Sequence, residues 1–331
     1  MSASHVRRVV IDGPHAMRVE DVALPEWPEP GWARLRSRAI GICGSDLHVL
    51  AGHHPFVSYP VFPGHELVAE VESVGDGVDP SWTGKRVVLE PGLSCGHCRT
   101  CSRGDAHLCE SLRVMGFQAP GGMADAFDAP VDRLHLLPPG MATEQGALVE
   151  PLALATHAVR LAGPMRDRDV LVLGAGTIGV VCAVVARADG ARVLVVDPDD
   201  ERRHGTSRQF GLEVAAEAPD GAFDVAFECV GLEAALRTAV GAVRKGGTVM
   251  VVGVHGHDAS LQVGLVQDRE LCLKGTLMYQ REDVERAIAL VRDGTVDLGP
   301  MIGARFPLGE ATQAFAHAAG GGAVLKVILV P

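Results

Sequence analysis

Residues 169–203 read DVLVLGAGTIGVVCAVVARADGARVLVVDPDDERR, and this stretch decides the fold of the second half of the chain. The apolar run Val170–Leu173 fits a buried parallel strand. Gly174, Gly176 and Gly179 then form G-x-G-x-x-G, Thr177–Ala188 carries a helical pattern, and a second strand, Arg192–Val196, ends at Asp197. A glycine pattern alone is weak, because an ordinary βαβ turn can show it with no ligand. The strand before, the helix after and an acid about 20 residues on make it a dinucleotide fingerprint. Gly174 allows the tight turn, Gly176 lets the backbone approach a pyrophosphate, and Gly179 lets helix and sheet pack closely. The N–H groups of the first helical turn, at Thr177 and Ile178, face phosphate charge. Asp197 accepts hydrogen bonds from ribose hydroxyls and would repel a 2′-phosphate by up to ~4 kcal/mol at 4 Å, so NAD is expected over NADP. Arg202 and Arg203 follow a Pro-Asp-Asp turn and are expected at the adenine end. Val230 and Gly253, just after the next two strands, complete the candidate cofactor set.

The α/β character extends from there. Phe223–Glu228 and Thr248–Val252 read as strands, with Glu233–Val243 and Arg281–Asp293 as helices. Strands alternating with helices imply a doubly wound parallel sheet, a Rossmann domain over 151–285. The first 140 residues differ. They are rich in Gly and Pro and hold short β-like runs, VRRVVID, ARLRSRAIG, LVAEVESVG and KRVVLE, so residues 1–150 read as a β-rich, barrel-like domain with long loops. A helical pattern starts only at Thr143 and runs to Ala162. The tail AVLKVILVP is one more strand, expected to rejoin the first domain and complete it from about residue 286.

Length and composition set limits. With 331 residues, two domains are expected. The net charge of −11 argues against a nucleic-acid partner. The opening MSASHVRRVVIDG has no apolar h-region, and no apolar run reaches membrane-spanning length, so a cytoplasmic, reducing location without membrane contact is expected. There, cysteine clusters bind metals more often than they pair.

Cys95, Cys98, Cys101 and Cys109 are spaced C-x2-C-x2-C-x7-C. Four thiolates complete a tetrahedral shell with no open position, which makes such a zinc site structural; a disulfide reading would need an oxidising compartment. Cys43, His65 and Glu66 offer sulfur, nitrogen and oxygen, a mixed set that suits a catalytic zinc. Taken singly, each has an ordinary reading: Cys43 as core, and GHE as a turn into the strand LVAEV.

Five stretches change that weighting: GICGSDLH (41–48), PGHE (63–66), the cysteine cluster, VEPLALATHAV (149–159) and GAGTIG. In order and spacing they resemble the zinc-dependent medium-chain dehydrogenases, notably the sorbitol, butanediol and threonine dehydrogenase branch. The resemblance covers nearly the whole chain. It implies a GroES-like catalytic domain beside the Rossmann domain, NAD, and two zinc ions per chain. Cys43 and His65 look like catalytic zinc ligands, Glu66 like a ligand or close neighbour of the metal, and Glu150 like a ligand direct or through water. Glu150 can equally be a carboxylate stabilised beside a helix N-terminus. Asp46 looks like the group that orients His65; Ser45 and His48 look like a proton relay from substrate to solvent. The implied reaction is hydride transfer between NAD and a small secondary alcohol, whether diol, polyol, cyclitol or amino alcohol, by a homo-oligomer, dimer or tetramer. The alternatives are a ketone reductase of the same fold and a non-catalytic zinc- and nucleotide-binding module.

Three departures stand out. The stretch 211–231 is short: an extra helix that such relatives usually carry between the second and third strands of this half is expected to be replaced by about six residues of loop. Met278 stands where sorbitol dehydrogenases carry an arginine, and GGMADAFDAP replaces a more aromatic wording. Phe56, Phe117, Met123 and Met278 are pocket or core candidates. Cys182, Cys229 and Cys272 read as buried hydrophobes, and His53, His54, His97, His107, His255 and His257 show no partner pattern.

Overall fold

The computed structural model of the protein describes residues 5–322 and 325–331. The chain divides into two compact units: residues 1–150 with 280–292 and 297–331, and residues 151–279 with 293–296.

The first unit opens with an antiparallel hairpin, β1 (His5–Gly13) and β2 (Ala16–Ala23). The chain then forms β3 (Trp32–Gly41), the short helix α1 (Gly44–Leu50), and β4 (Glu66–Val74). Next come β5 (Arg86–Leu89), the two-residue strands β6 (Gly92–Leu93) and β7 (Arg113–Val114), then β8 (Ala126–Pro130) and β9 (Leu134–Leu136). The helical pattern expected over 143–162 is two helices, α2 (Thr143–Ala147) and α3 (Val149–Ala162), broken at Leu148.

The second unit runs β10 (Asp169–Leu173), α4 (Thr177–Ala188), β11 (Arg192–Val196), α5 (Asp200–Phe210), β12 (Glu213–Ala215), β13 (Phe223–Glu228), α6 (Glu233–Ala242), β14 (Val243–Val251), α7 (Val263–Asp268) and β15 (Cys272–Gly275). All six strands are parallel, in the order β12-β11-β10-β13-β14-β15. The order reverses between β10 and β13, which is where such sheets bind ligands. The core strands are continuous apolar runs because helices cover both faces; Leu171, Ala226 and Val249 are fully buried. Helix α5 ends before the short stretch 211–231, and within that stretch the extra helix is missing among the described residues, as expected. Residues 216–222 connect β12 to β13 without one.

The chain then returns to the first unit with α8 (Arg281–Arg292), β16 (Ile302–Pro307), α9 (Ala311–Ala319) and β17 (Lys326–Val330). The expected tail strand begins at Lys326; Ala323 and Val324 lie outside the described residues. β17 pairs with β16 and β3, completing a sheet ordered β16-β17-β3-β4-β5-β9, with β8 also on β3. Its core includes Ile40, Leu67, Leu134, Phe315 and Leu329.

Candidate active site

Three neighbouring strands build a mixed-donor cluster in the first unit. Gly41, the last residue of β3, pairs with Glu66 on one side and Ile328 on the other. The chain continues through Ile42, whose amide bonds the Val327 carbonyl, to Cys43, the N-cap of α1. Cys43, His65 and Glu66 each offer a donor atom, and these lie within 4.8 Å of one another. A Cβ at position 41 would lie 2.5 Å from Glu66 Oε2, so only glycine admits this carboxylate.

The sequence missed one partner. Lys326 opens β17, and its Nζ lies 2.6 Å from Glu66 Oε2 and donates to the Ile42 carbonyl at 3.2 Å. Both side chains are buried, at 2% and 0% exposure. Burial alone would lower Lys326, but the charges of Glu66 and Cys43 outweigh it and hold the lysine above its ordinary range. The only signal was a cation in an otherwise apolar terminal strand.

Asp46 sits in the first turn of α1, where Oδ2 accepts the Cys43 amide at 3.0 Å. Oδ1 is 3.8 Å from His65 Nδ1, too long for a hydrogen bond, so it acts on the ring by charge. Burial would lower His65, but Asp46, Cys43 and Glu150 push it well above its ordinary range. Glu150 reaches His65 electrostatically and is not one of the three clustered donors. Ser45 is half-buried and His48 exposed; their i, i+3 spacing puts them on one face of α1.

Phe117 tilts against His65 with centroids 4.8 Å apart, and His54 stacks on Phe117 at 4.9 Å. This places the unassigned His54 beside the cluster. Phe56 is 72% exposed, and Met123, 1% exposed, belongs to the core. Met278 lies in the second unit with φ +51°.

The donors fit a metal ion. Glu66 Oε1, His65 Nδ1 and Asp46 Oδ1 are buried without a hydrogen-bond partner, an arrangement costing about 1–3 kcal/mol for each unmet group. Burial, then the Glu66 charge, pushes the Cys43 thiol up, and a cation at the cluster would reverse that.

The second cluster is Cys95, Cys98, Cys101 and Cys109, donors again within 4.8 Å. The Cys98–Cys101, Cys98–Cys109 and Cys95–Cys101 sulfur separations are 3.4, 3.9 and 4.0 Å. A tetrahedron of 2.3 Å zinc–sulfur bonds has edges of roughly 3.8 Å. The Thr100 hydroxyl and the backbone at Cys101 and Glu110 pull Cys98 down to about 5, while burial and the neighbouring thiols push Cys101 up to about 11. All eight cysteines are free.

In the second unit, Gly174 has φ +99°, and a Cβ on Gly179 would lie 1.8 Å from the Gly174 carbonyl. A Cβ on Gly176 would meet nothing within 4 Å, which leaves the room a pyrophosphate needs beside Thr177 and Ile178. Asp197 is buried; Oδ2 accepts the Ala175 amide at 2.8 Å and Oδ1 the Asp199 amide at 2.9 Å. Two N–H bonds still leave a carboxylate lone pairs for ribose hydroxyls. The Arg203 guanidinium folds back onto the carbonyls of Asp197 and Pro198 and onto Asp200. The Arg202 amide is capped by Asp199. Val230 and Gly253 lie just beyond β13 and β14. Cys182 is buried and in contact with the Cys229 thiol, but Cys272, on the edge strand β15, is exposed, contrary to expectation.

One unit with a mixed-donor metal cluster and another with a dinucleotide turn define a metal-dependent, dinucleotide-linked oxidoreductase. Residues 29–139 match the alcohol dehydrogenase GroES-like domain, and 177–293 match the zinc-binding dehydrogenase domain. The chain belongs to this zinc-binding dehydrogenase family. It is 34% identical to 2-dehydro-3-deoxy-L-galactonate 5-dehydrogenase of Pseudoalteromonas atlantica, over 91% of this chain and 92% of the relative. It is 32% identical to L-idonate 5-dehydrogenase of Vitis vinifera, over 96% and 92%. Among solved structures it resembles a zinc-binding dehydrogenase of Sinorhizobium meliloti bound to NADP, with TM-score 0.91, 30% identity and 99% and 100% of the two chains covered. Among the described residues no helix is long and apolar enough to cross a membrane.

Proposed function

We propose that the chain is a zinc- and NAD-dependent dehydrogenase of a secondary hydroxyl on a polyol or sugar acid. The carrying observation is the Cys43/His65/Glu66 cluster, half-buried at Cys43 and buried at the other two, with its unbonded Glu66 Oε1. A zinc ion there supplies the Lewis acidity that lowers the pKa of an alcohol, and the nicotinamide supplies the hydride acceptor. Lys326 fixes Glu66 by its other oxygen, and Asp46 biases the charge of His65. Ser45 accepts the hydroxyl proton, and exposed His48 hands it to solvent. The four-cysteine cluster takes a second, structural zinc. Asp197 binds the adenosine ribose and disfavours NADP, since Arg203 is already committed to its own turn. Sugar-acid substrates are supported by the two relatives at 34% and 32% identity. The enzyme works as a homo-oligomer in the cytoplasm, a compartment that suits eight free thiols.

A screen for NADH formation over aldonates, polyols, diols and cyclitols tests this reading. Turnover on at least one secondary alcohol, kcat/KM higher with NAD than with NADP, and a loss of about 100-fold in kcat for Ser45→Ala are expected. No NADH from any alcohol, with both zinc ions bound, would overturn it.

A further inference from the structure

Glu228 ends β13 in register with Leu173, the residue before the glycine turn. It therefore stands at the point where the strand order reverses. Its side chain has 0% exposure. Oε1 accepts the amides of Val230 and Gly231, both at 2.8 Å. Its main-chain carbonyl accepts the amides of Val252 and Gly253, both at 2.9 Å. Oε2 faces His255 Nε2 at 3.1 Å. One buried acid thus ties together the loops after β13 and β14. Those loops touch so closely that a Cβ on Gly253 would lie 2.2 Å from the Gly231 nitrogen. The same loops leave two apolar side chains, Val230 and Val254, 43% and 56% exposed at the crevice.

We infer that His255 is a positioning residue for the dinucleotide, acting through Glu228 to hold the lips of the second half of the crevice. The inference rests on the dinucleotide-binding reading above. Glu228 Oε1 and the main chain fix the first loop and the root of the second. The His255–Glu228 contact holds the loop just past Val254; the next side-chain tie along it is at Ser260, to Glu233 and Arg237. A dinucleotide lying across the switch point occupies both halves of the sheet, so its second nucleotide meets these lips. Without the donor at 255, Glu228 keeps its amide bonds while Val254, still packed on Gly231, is held less firmly, and bound cofactor must then order the loop at its own expense. His255 touches no reacting atom in this account, so its loss weakens binding and leaves the chemical step alone.

The test is direct titration of the zinc-loaded chain with NADH, followed by its fluorescence and needing no alcohol. His255→Leu is expected to weaken NADH binding by roughly tenfold or more, the scale of one charge-assisted hydrogen bond. His255→Gln, which keeps an amide donor at the same reach, should stay within about threefold of the parent. With any alcohol that turns over, KM for NAD should rise in the leucine variant with kcat nearly unchanged. Should the leucine variant not fold, His255→Asn, one carbon too short to reach Glu228, takes its place. Unchanged NADH affinity in the leucine or asparagine variant overturns the inference, as does a glutamine variant that is equally weak. Failure of the parent chain to bind NADH overturns the dinucleotide reading and this inference with it.

Discussion

The two donor clusters of the first unit would, on the proposed reading, use zinc in opposite ways. Cys95, Cys98, Cys101 and Cys109 are four like donors on a partly exposed lobe, with backbone amides and Thr100 as their main polar company. Cys43, His65 and Glu66 are three unlike donors, close to a buried lysine and a buried aspartate. In the first, four thiolates would repel one another, and a metal would hold the loop together. In the second, the strands β17, β3 and β4 already hold the donors, and counter-charges are in place before any metal binds. A closed shell lends a metal to the fold, whereas a supported, incomplete one keeps it for chemistry.

Cys43→Ser and Cys101→Ser put that contrast to its hardest test. Each should reduce bound zinc from two ions to one, read by elemental analysis. The Cys43 variant should lose at least about a thousandfold in turnover, roughly 4 kcal/mol, with its melting temperature little moved. The Cys101 variant should lose several kcal/mol of stability, with residues 94–112 losing protection from hydrogen exchange. Equal stability losses in the two variants would erase the distinction drawn here.

Lys326→Met sharpens the second half of the comparison. Breaking a buried pair leaves an uncompensated charge and costs about 3 kcal/mol or more. Glu66 would then have two unmet oxygens in place of one. The chemical-denaturation midpoint of the zinc-free variant should fall accordingly, and adding zinc should recover more of the loss than in the parent. No change in either would mean the Lys326–Glu66 contact is dispensable.

What the sequence disclosed follows the same physics. Thr177–Ala188, Arg192–Val196 and Phe223–Glu228 were legible to the residue, because buried parallel strands and an apolar helix write themselves as continuous hydrophobic runs. Helix α5 was not, since only Gly205, Thr206 and Phe210 are buried in it and it has no apolar stripe to find. Its caps, Asp199 and Gly211, were the readable signal. The two metal clusters showed themselves by residue type. Lys326 and His255 did not, because their partners Glu66 and Glu228 lie 260 and 27 residues away, and only sheet pairing brings them together. Met123 was ambiguous for the opposite reason: a buried methionine reads alike in a pocket and a core.

A third buried acid of the first unit supplies the control, and the smallest expected effect. Glu90, 7% exposed, bonds Arg133 Nη1 through Oε1 and His135 Nε2 through Oε2, both at 2.9 Å. Burial would raise its pKa, but His135 and Arg133 outweigh burial and hold it below the ordinary carboxylate range. Both its oxygens are hydrogen-bonded, whereas Glu66 Oε1 has no partner. A depressed folded-state pKa means that the Glu90 contribution to stability is complete above the unfolded value near 4.3. It is lost as pH falls from there through the lower folded value. Glu90→Gln should therefore cost about 1–2 kcal/mol at neutral pH, and the deficit relative to the parent should shrink below about pH 4. Both zinc ions should remain bound. A variant that lost zinc would show that satisfied and unsatisfied buried acids do not divide as their hydrogen bonds imply, and a deficit that grew on acidification would reverse the sign of the Glu90 shift.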